Sequence, residues 1–231
     1  MRPTRRTLLT AGCVAVLAGC LDAGDDDSEG EAADHDDSAE SDEEAETTAD
    51  REDSASGELT APVWGDPDAD VTMEVYEDFS CPACQQFKLE IFPAIADQYL
   101  ESETIRYEHR DYPLPVDDWS EPVANAARAV QDLEGDEAFF AFVSDVYAHQ
   151  GAYSYDRLES VADNLGYDGE AVRDAAEAGT YQATLEADIA RGEELGVTGT
   201  PNVFVNGSQV EFEEGTPAME TINEAIDAAS Q

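Results

Sequence analysis

Apolar and polar residues first alternate in a way that predicts regular structure from residue 59 onward. Residues 71–76, VTMEVY, are rich in β-branched and aromatic types, which favours a strand. Residues 86–100 carry apolar side chains at helical spacing, and residues 104–109 again favour a strand. A strand, a helix and a strand within about forty residues form parallel neighbours, so this region predicts a βαβ unit.

An alanine-rich block at residues 120–195 follows, in which glycines separate successive helical segments. The segments that we predict to be helical are 122–132, 136–149, 155–165, 169–178 and 181–195. Two short strands are predicted at 202–205 and 209–212, joined by the hairpin signal Asn206-Gly207-Ser208, and a last helix at 217–229. The predicted architecture is therefore α/β, in the order βαβ, helical block, ββα.

The first twenty residues, MRPTRRTLLTAGCVAVLAGC, have a basic start, an apolar run at 8–17 and small residues after it. This layout is typical of a secretory signal, and the run is too short to span a bilayer comfortably. Arg5-Arg6 resembles a twin-arginine export signal, and LAGC at 17–20 resembles a lipobox. The resemblance implies that a signal peptide of residues 1–19 is removed and that Cys20 carries lipid. An uncleaved hydrophobic anchor is the alternative. Either way we expect the domain to be held at the extracellular face of the cell membrane.

Residues 20–58 form a segment of a different character, since 22–58 holds 18 acidic residues and one base, with no aromatic residue. Such a composition cannot bury enough apolar surface to offset its ordering entropy, so we predict a disordered acidic tether. Calcium binding is not indicated, because the acids lack the ligand spacing of a binding loop.

Acidic residues dominate the rest of the chain as well. The whole chain has 55 acidic and 11 basic residues and a net charge of −44, and 37 acids against 7 bases follow residue 58. This balance argues against a nucleic-acid partner, because phosphates need Lys and Arg. Self-repulsion destabilises such a domain in dilute buffer but is screened in molar salt, where the screening length is about 3 Å. We interpret the charge as adaptation to high salt, as in extreme halophiles. A local acidic interaction surface is disfavoured, because the charge is spread over the whole domain.

The four cysteines divide by position. Cys13 lies in the predicted signal and Cys20 is the predicted lipid site, so only Cys81 and Cys84 remain in the domain. A purely stabilising disulfide is a weak alternative, because so small a loop removes little entropy from the unfolded chain. Half of a zinc site is another alternative, but a second ligand pair is needed and the histidines lie far from one another in sequence. No metal site is therefore predicted.

Three motifs lie at the ends of predicted elements: DFSCPAC at 78–84, RDYPL at 110–114 and GVTGTP at 196–201. Together they resemble the DsbA-like thiol–disulfide oxidoreductases, and the likeness extends from about residue 63 to residue 229. The resemblance implies a thioredoxin-like fold over residues 59–231, with a helical insert at about 120–195.

We expect Cys81 to lie at the start of a helix, with Pro82 in its first turn. Unpaired backbone N–H groups and the helix dipole favour a thiolate there, so the pKa of Cys81 should fall and its sulfur become a good leaving group. Cys84, which follows Pro82 and Ala83, should be more buried and should attack a mixed disulfide at Cys81. Pro82 and Ala83 complete the active-site motif.

The resemblance further implies that Pro201 follows a cis peptide bond beside the cysteines and that the backbone of Thr200 pairs with an extended substrate. An ordinary turn proline is the alternative. Thioredoxin-like enzymes commonly keep a buried acid six residues before the first cysteine, where this chain has Val75. Glu74 and Glu77 are candidates to replace it, but in so acidic a chain we expect each to be a surface or edge carboxylate.

The resulting hypothesis is a membrane-tethered oxidoreductase that forms disulfides in exported proteins without a cofactor. The resemblance implies that a membrane oxidase of DsbB or VKOR type reoxidises it. Two alternatives stay open: a disulfide reductase or isomerase of the same fold, and a non-catalytic lipoprotein that binds a peptide or a metal through its helical insert.

Overall fold

The computed structural model describes residues 58–115, 117–213 and 215–231. The predicted signal peptide, Cys20 and the tether up to residue 57 lie outside the described residues. No helix within those ranges is both long enough and apolar enough to cross a membrane.

A five-stranded mixed sheet forms the centre of the domain, in the order β1-β3-β2-β4-β5. Its strands are β1 (Val63–Gly65), β2 (Thr72–Glu77), β3 (Arg106–Asp111), β4 (Asn202–Val205) and β5 (Ser208–Gln209). β2 and β3 run parallel, with Thr72 opposite Arg106 and Glu77 opposite Asp111. The other neighbouring strands are antiparallel. The parallel pair confirms the predicted βαβ unit.

The connection between β2 and β3 is a helical run that contains two π-helical turns. Its parts are α1 (Pro82–Gln86), π1 (Phe87–Ile91), α2 (Phe92–Ile95) and π2 (Ala96–Leu100). Pro93 has no N–H to bond to the preceding turn, and the wider turns on either side accommodate that gap. The run begins at Pro82, as predicted from the CPAC motif, whereas the apolar spacing marks the helix only from residue 86 onward, because the first turn carries no apolar periodicity.

The helical insert lies between β3 and β4, as predicted. Its helices are α3 (Ser120–Glu134), α4 (Asp136–Tyr147), α5 (Tyr155–Leu165), α6 (Gly169–Ala178) and α7 (Gln182–Glu194). Ser154 and Asp168 cap the starts of α5 and α6 through side-chain oxygens that accept backbone N–H groups. Gly166 and Gly179 end the same helices in the left-handed conformation. These capping signals explain why the predicted ends of α5 and α6 agree with the structure.

Two strands differ from the prediction. β1 was not predicted, because its three residues are too few to show an alternation. β5 spans 208–209 instead of 209–212, so most of the predicted second hairpin strand lies outside the sheet. The last helix, α8 (Ala218–Ala229), begins one residue after its predicted start.

The two faces of the β2–β3 pair have different surroundings, because side chains alternate along a strand. On what we call the inner face, Met73 and Val75 pack in the main apolar core with the helical run and the insert. On the outer face, Tyr76 packs in a small second cluster with Phe204. Gly192 allows α7 to approach this outer face closely, since a Cβ atom there would lie 3.0 Å from the ring of Tyr76.

Candidate active site

The CPAC motif lies where β2 ends and the helical run begins. Cys81 has an extended backbone (φ −78°, ψ 120°) and is the N-cap residue of α1, with Pro82 as the first helical residue. Asp78 holds the turn before it. The Asp78 carbonyl oxygen accepts the Cys81 N–H at 3.0 Å, and the Asp78 carboxylate accepts the Ser80 N–H at 2.8 Å. The Cys81 sulfur consequently faces the N–H groups of the first helical turn.

The two thiols of the motif have opposite environments. Both are free, Cys81 is half-buried and Cys84 is fully buried. The Cys84 thiol donates a hydrogen bond to the Cys81 sulfur, and this bond is the main cause that lowers the pKa of Cys81 to about 5. Burial is the main cause that raises the pKa of Cys84, and its bond to Cys81 and the charge of Glu77 add to that effect. Cys81 is therefore a thiolate at neutral pH, while Cys84 stays a thiol.

Pro201 lies beside this pair. The Thr200–Pro201 peptide bond is cis, as the resemblance implied, and it directly precedes β4. The Thr200 carbonyl oxygen lies 3.3 Å from the sulfur of Cys81, which donates to it when protonated. The fold thus brings together both cysteines, Thr200 and Pro201 across 119 residues of sequence.

A family model described as thioredoxin matches residues 58–228, nearly the whole described domain. The chain belongs to the thioredoxin family. Within that family it is similar to proteins named for thiol–disulfide exchange and disulfide bond formation.

Proteins with solved structures share this fold. BdbD from Bacillus subtilis, in its oxidised form, superposes with a TM-score of 0.66 at 21% identity, over 75% of this chain and 96% of that one. The thiol-disulfide exchange protein α-DsbA2 from Wolbachia pipientis superposes with a TM-score of 0.61 at 25% identity, over 74% of this chain and 87% of that one.

Curated relatives differ in how much of their length the chain spans. A probable disulfide bond formation protein D from Bacillus cereus is 24% identical over 173 residues, which is 71% of this chain and 76% of the relative. The Na(+)/H(+) antiporter NhaA 1 from Salinispora arenicola is 30% identical over 168 residues, 72% of this chain but only 24% of that protein. The chain thus spans about a quarter of the length of that relative.

In this thioredoxin-family domain the insert also holds the active-site turn. The side-chain amide of Gln150 donates to the carbonyl oxygens of Phe79 at 2.7 Å and Cys81 at 3.0 Å, and the Tyr153 hydroxyl donates to Phe79 at 3.0 Å. A cavity of about 300 Å³ opens at this point, beside Pro82. Sequence reasoning missed Gln150 and Tyr153, because they lie in the loop after α4 and no motif marks them.

Glu77 lies in the protein interior next to the dithiol, which corrects the expectation of a surface or edge carboxylate. It is 1% exposed. Its two oxygens accept the hydroxyls of Tyr107 and Tyr147, each at 3.0 Å, and Oε1 lies 3.2 Å from Nζ of Lys88. Burial alone would raise the pKa of Glu77, but the charges of Lys88 and His109 lower it to about 2. Glu77 is consequently a carboxylate, and its charge acts on Cys84.

The family's usual acid position, six residues before the first cysteine, explains where Glu77 points. Val75 occupies that position, and residues two apart on a strand share a face, so Glu77 projects into the same core as Val75. The sequence signal for this direction was that Glu77 alternates in step with the apolar residues Met73 and Val75 along the strand. Glu74 is also buried, at 5% exposure, but on the outer face, where it pairs with Arg110 and Arg191.

Lys88 is the buried cation that pairs with Glu77 near the dithiol. It is 2% exposed, and its ammonium lies 4.0 Å from the centre of the Phe92 ring. Burial is the main influence and lowers the pKa of Lys88, while the neighbouring charge of Glu77 acts in the opposite direction. Lys88 and Glu77 are therefore a buried ion pair, and each depends on the other for a partner.

Proposed function

We propose that this protein exchanges disulfides with the cysteines of exported proteins and runs in the direction of disulfide formation. The opposed thiols carry this proposal. Cys81 is half-buried with a pKa of about 5, and Cys84 is fully buried with a raised pKa. A stabilised thiolate lowers the free energy of the reduced enzyme, and this makes the disulfide form a stronger oxidant.

The exchange starts from the oxidised enzyme, in which Cys81 and Cys84 are joined. A substrate thiolate attacks the sulfur of Cys81, the Cys81–Cys84 bond breaks, and Cys84 leaves and takes up one proton. A second substrate thiolate then attacks the substrate's own sulfur in the mixed disulfide, and Cys81 leaves as a thiolate. The substrate loses two electrons and two protons. The enzyme gains two electrons and one proton, and the other proton goes to solvent.

Thr200 and Pro201 form the substrate contact in this proposal. A polypeptide joined to Cys81 passes the segment whose carbonyl lies 3.3 Å from that sulfur. An extended substrate segment can pair with backbone at this position, and the sequence-tolerant nature of such pairing suits an enzyme with many substrates. Pro82 and Ala83 line the approach on the helix side, where both are exposed.

The location and the partner are further parts of the proposal. A signal peptide at 1–19 and a lipid on Cys20 would anchor the domain at the extracellular face through the acidic tether. A membrane oxidase of DsbB or VKOR type would then restore the Cys81–Cys84 disulfide. The name of the Bacillus cereus relative, disulfide bond formation protein D, supports this direction. Comparing the membrane partition of the wild type with that of Cys20→Ser tests the anchor.

The deciding experiment is the reduction potential in molar salt, together with the oxidation of a reduced, unfolded protein. We expect a potential more oxidising than about −270 mV, the value of thioredoxin, and stoichiometric substrate oxidation. A potential at or below that value would replace the proposal with the reductase alternative. If Cys81→Ser kept full function in cells, the exchange mechanism would be wrong and the binding alternative would take its place.

A further inference from the structure

His109 lies on β3 in the interior, beside Glu77, and the exchange mechanism makes no use of it. Its side chain has no exposed surface. Nε2 lies 3.1 Å from Oδ1 of Asp111, and Nδ1 lies 3.8 Å from Oε1 of Glu77. The ring is held between Phe139, whose centre is 5.0 Å away, and Phe79, at 5.9 Å. The imidazole is therefore held in place with a carboxylate at each of its nitrogens.

This placement favours a ring that carries two protons. Nε2 must carry a proton to donate to Asp111. At 3.8 Å, Nδ1 is too far from Glu77 for a hydrogen bond, and it has no hydrogen-bond partner within the described residues. An unprotonated Nδ1 would turn its lone pair toward an anionic oxygen, whereas a protonated Nδ1 is attracted to that oxygen.

His109 directly faces Glu77 on β2 and Asp111 on β3. The charged and titratable groups that contact these two carboxylates are Lys88 on π1, Tyr107 on β3 and Tyr147 on α4 at Glu77, and Arg128 on α3 at Asp111. Arg128 also pairs with Asp188 on α7, and the charge of Glu77 acts on Cys84 on α1. Burial opposes a charge on His109, but Asp111 and Glu77 outweigh it and raise its pKa above the ordinary value of 6.5. Histidine is the group of this set whose ordinary pKa lies closest to neutrality.

We propose that His109 is a positioning residue that links proton binding to the redox state of Cys81 and Cys84, acting through Glu77. The inference rests on the dithiol chemistry of the proposed function. Reduction takes two electrons from the substrate and one proton onto Cys84, and it leaves a new negative charge on Cys81. A cation held next to Glu77 stabilises that charge, so the reduced enzyme binds the His109 proton more tightly than the oxidised enzyme does.

The sign of the effect follows from this linkage. His109 has a lower titration midpoint in the oxidised enzyme than in the reduced enzyme. Between these two pH values, reduction takes up a proton on His109 in addition to the one on Cys84. The equilibrium constant for reduction then falls by more than tenfold per pH unit in this interval, with a limit of a hundredfold for well-separated midpoints, compared with tenfold at higher pH. The titration of the Cys81 thiol lies at lower pH than this interval, because the pKa of Cys81 is about 5.

Histidine side-chain NMR of the full chain in molar salt measures the coupling directly. The chain has three histidines, so the His109 signal can be assigned by its loss in His109→Gln. We expect the His109 midpoint to lie at a higher pH in the reduced enzyme. The corresponding increase in proton affinity should be at least about fivefold, the lower end of typical couplings. Equal midpoints in the two redox states, or no titration of His109 between about pH 5 and 10, would overturn the inference.

The potential measured against pH gives a second readout with a matched control. His109→Gln should remove the steep interval, and the same change at His149, outside this cluster, should keep it. Retention of the steep interval in His109→Gln would also contradict the proposal. If His109→Gln does not fold, the His109 signal is assigned instead as the one that remains in both His35→Gln and His149→Gln, and the wild-type NMR still tests the coupling. Neither measurement needs a protein substrate. An enzyme that shows the coupling but oxidises no unfolded protein would therefore disprove the proposed disulfide formation and leave the His109 coupling standing.

Discussion

The two faces of the β2–β3 pair use charge differently. On the inner face, the side chains of Glu77, His109 and Asp111 are at most 1% exposed. On the outer face, Arg110 is 18% and Arg191 50% exposed, although both pair with the buried Glu74. Salt screens exposed charges much more than buried ones. The inner charges can therefore act on the dithiol at any salt concentration, while the outer pairs contribute to stability in a salt-dependent way.

The distribution of bases strengthens this contrast. Seven Lys and Arg residues follow residue 58, and five of them form ion pairs with carboxylates at the inner or the outer face of the β2–β3 pair. The five are Lys88 and Arg128 in the interior and Arg106, Arg110 and Arg191 toward the outer face. Most of the scarce positive charge is thus placed against specific carboxylates, which leaves the remaining surface strongly acidic.

The largest expected effect comes from Arg128, which joins the inner carboxylates. Its guanidinium donates to Asp111 and to Asp188, each at 2.6 Å, and its side chain has no exposed surface. Arg128→Gln leaves both carboxylates without their cation and should lower the free energy of unfolding by about 3–5 kcal/mol. Denaturant unfolding in molar salt measures this. Arg173→Gln, which breaks surface pairs only, is the matched control and should have a far smaller effect. Equal losses in the two variants would contradict the distinction between buried and exposed pairs.

The pH dependence of stability should separate Glu77 from other acids. The folded pKa of about 2 lies below the ordinary value of 4.5, so its contribution is present above about pH 4.5 and is lost as pH falls toward 2. That contribution is on the order of 3 kcal/mol. The difference in unfolding free energy between wild type and Glu77→Gln should therefore shrink as the pH is lowered across this range. A difference that stays constant would show that the Glu77 carboxylate keeps an ordinary pKa.

A smaller effect is expected at the dithiol. The hydrogen bond from Cys84 is the main cause of the low Cys81 pKa, so Cys84→Ala should raise that pKa. A hydrogen bond to a charged group contributes about 1.5–3 kcal/mol, which corresponds to about one to two pKa units. The rate of alkylation by iodoacetamide against pH reports the midpoint. We expect a midpoint near pH 5 in the reduced wild type and a higher one in the variant. An unchanged midpoint would assign the effect to the backbone N–H groups instead.

The smallest effect is expected on the outer face. Arg191→Gln removes an ion pair with Glu74 whose arginine is half exposed, and it should cost less than about 1 kcal/mol in low salt. The cost should decrease further in molar salt, whereas the cost of Arg128→Gln should not. Unfolding of both variants at two salt concentrations tests the comparison. The same salt response in both would mean that the two faces do not differ in screening.

Local sequence patterns predicted most of the fold. The helical spacing at 86–100, the capping residues of the insert and the hairpin signal at 206–208 each act over a few residues, so they can be read without a structure. The dithiol and the cis proline were located by motif. What could not be read is pairing across the chain, because Arg128 meets Asp188 from 60 residues away. The strand phase that Glu77 shares with Met73 and Val75 indicates that it points inward, but its partners lie on three other elements, and only the fold shows that they meet.

Asp188 has a mechanical consequence for the insert. Its carboxylate accepts the backbone N–H of Asp111 at 3.1 Å as well as the guanidinium groups of Arg110 and Arg128. Moving α7 away from β3 would separate all of these groups at once and leave buried charges without partners. The helices between β3 and β4 are thereby prevented from swinging open as a lid, and we expect them to melt together with the sheet in a single cooperative transition.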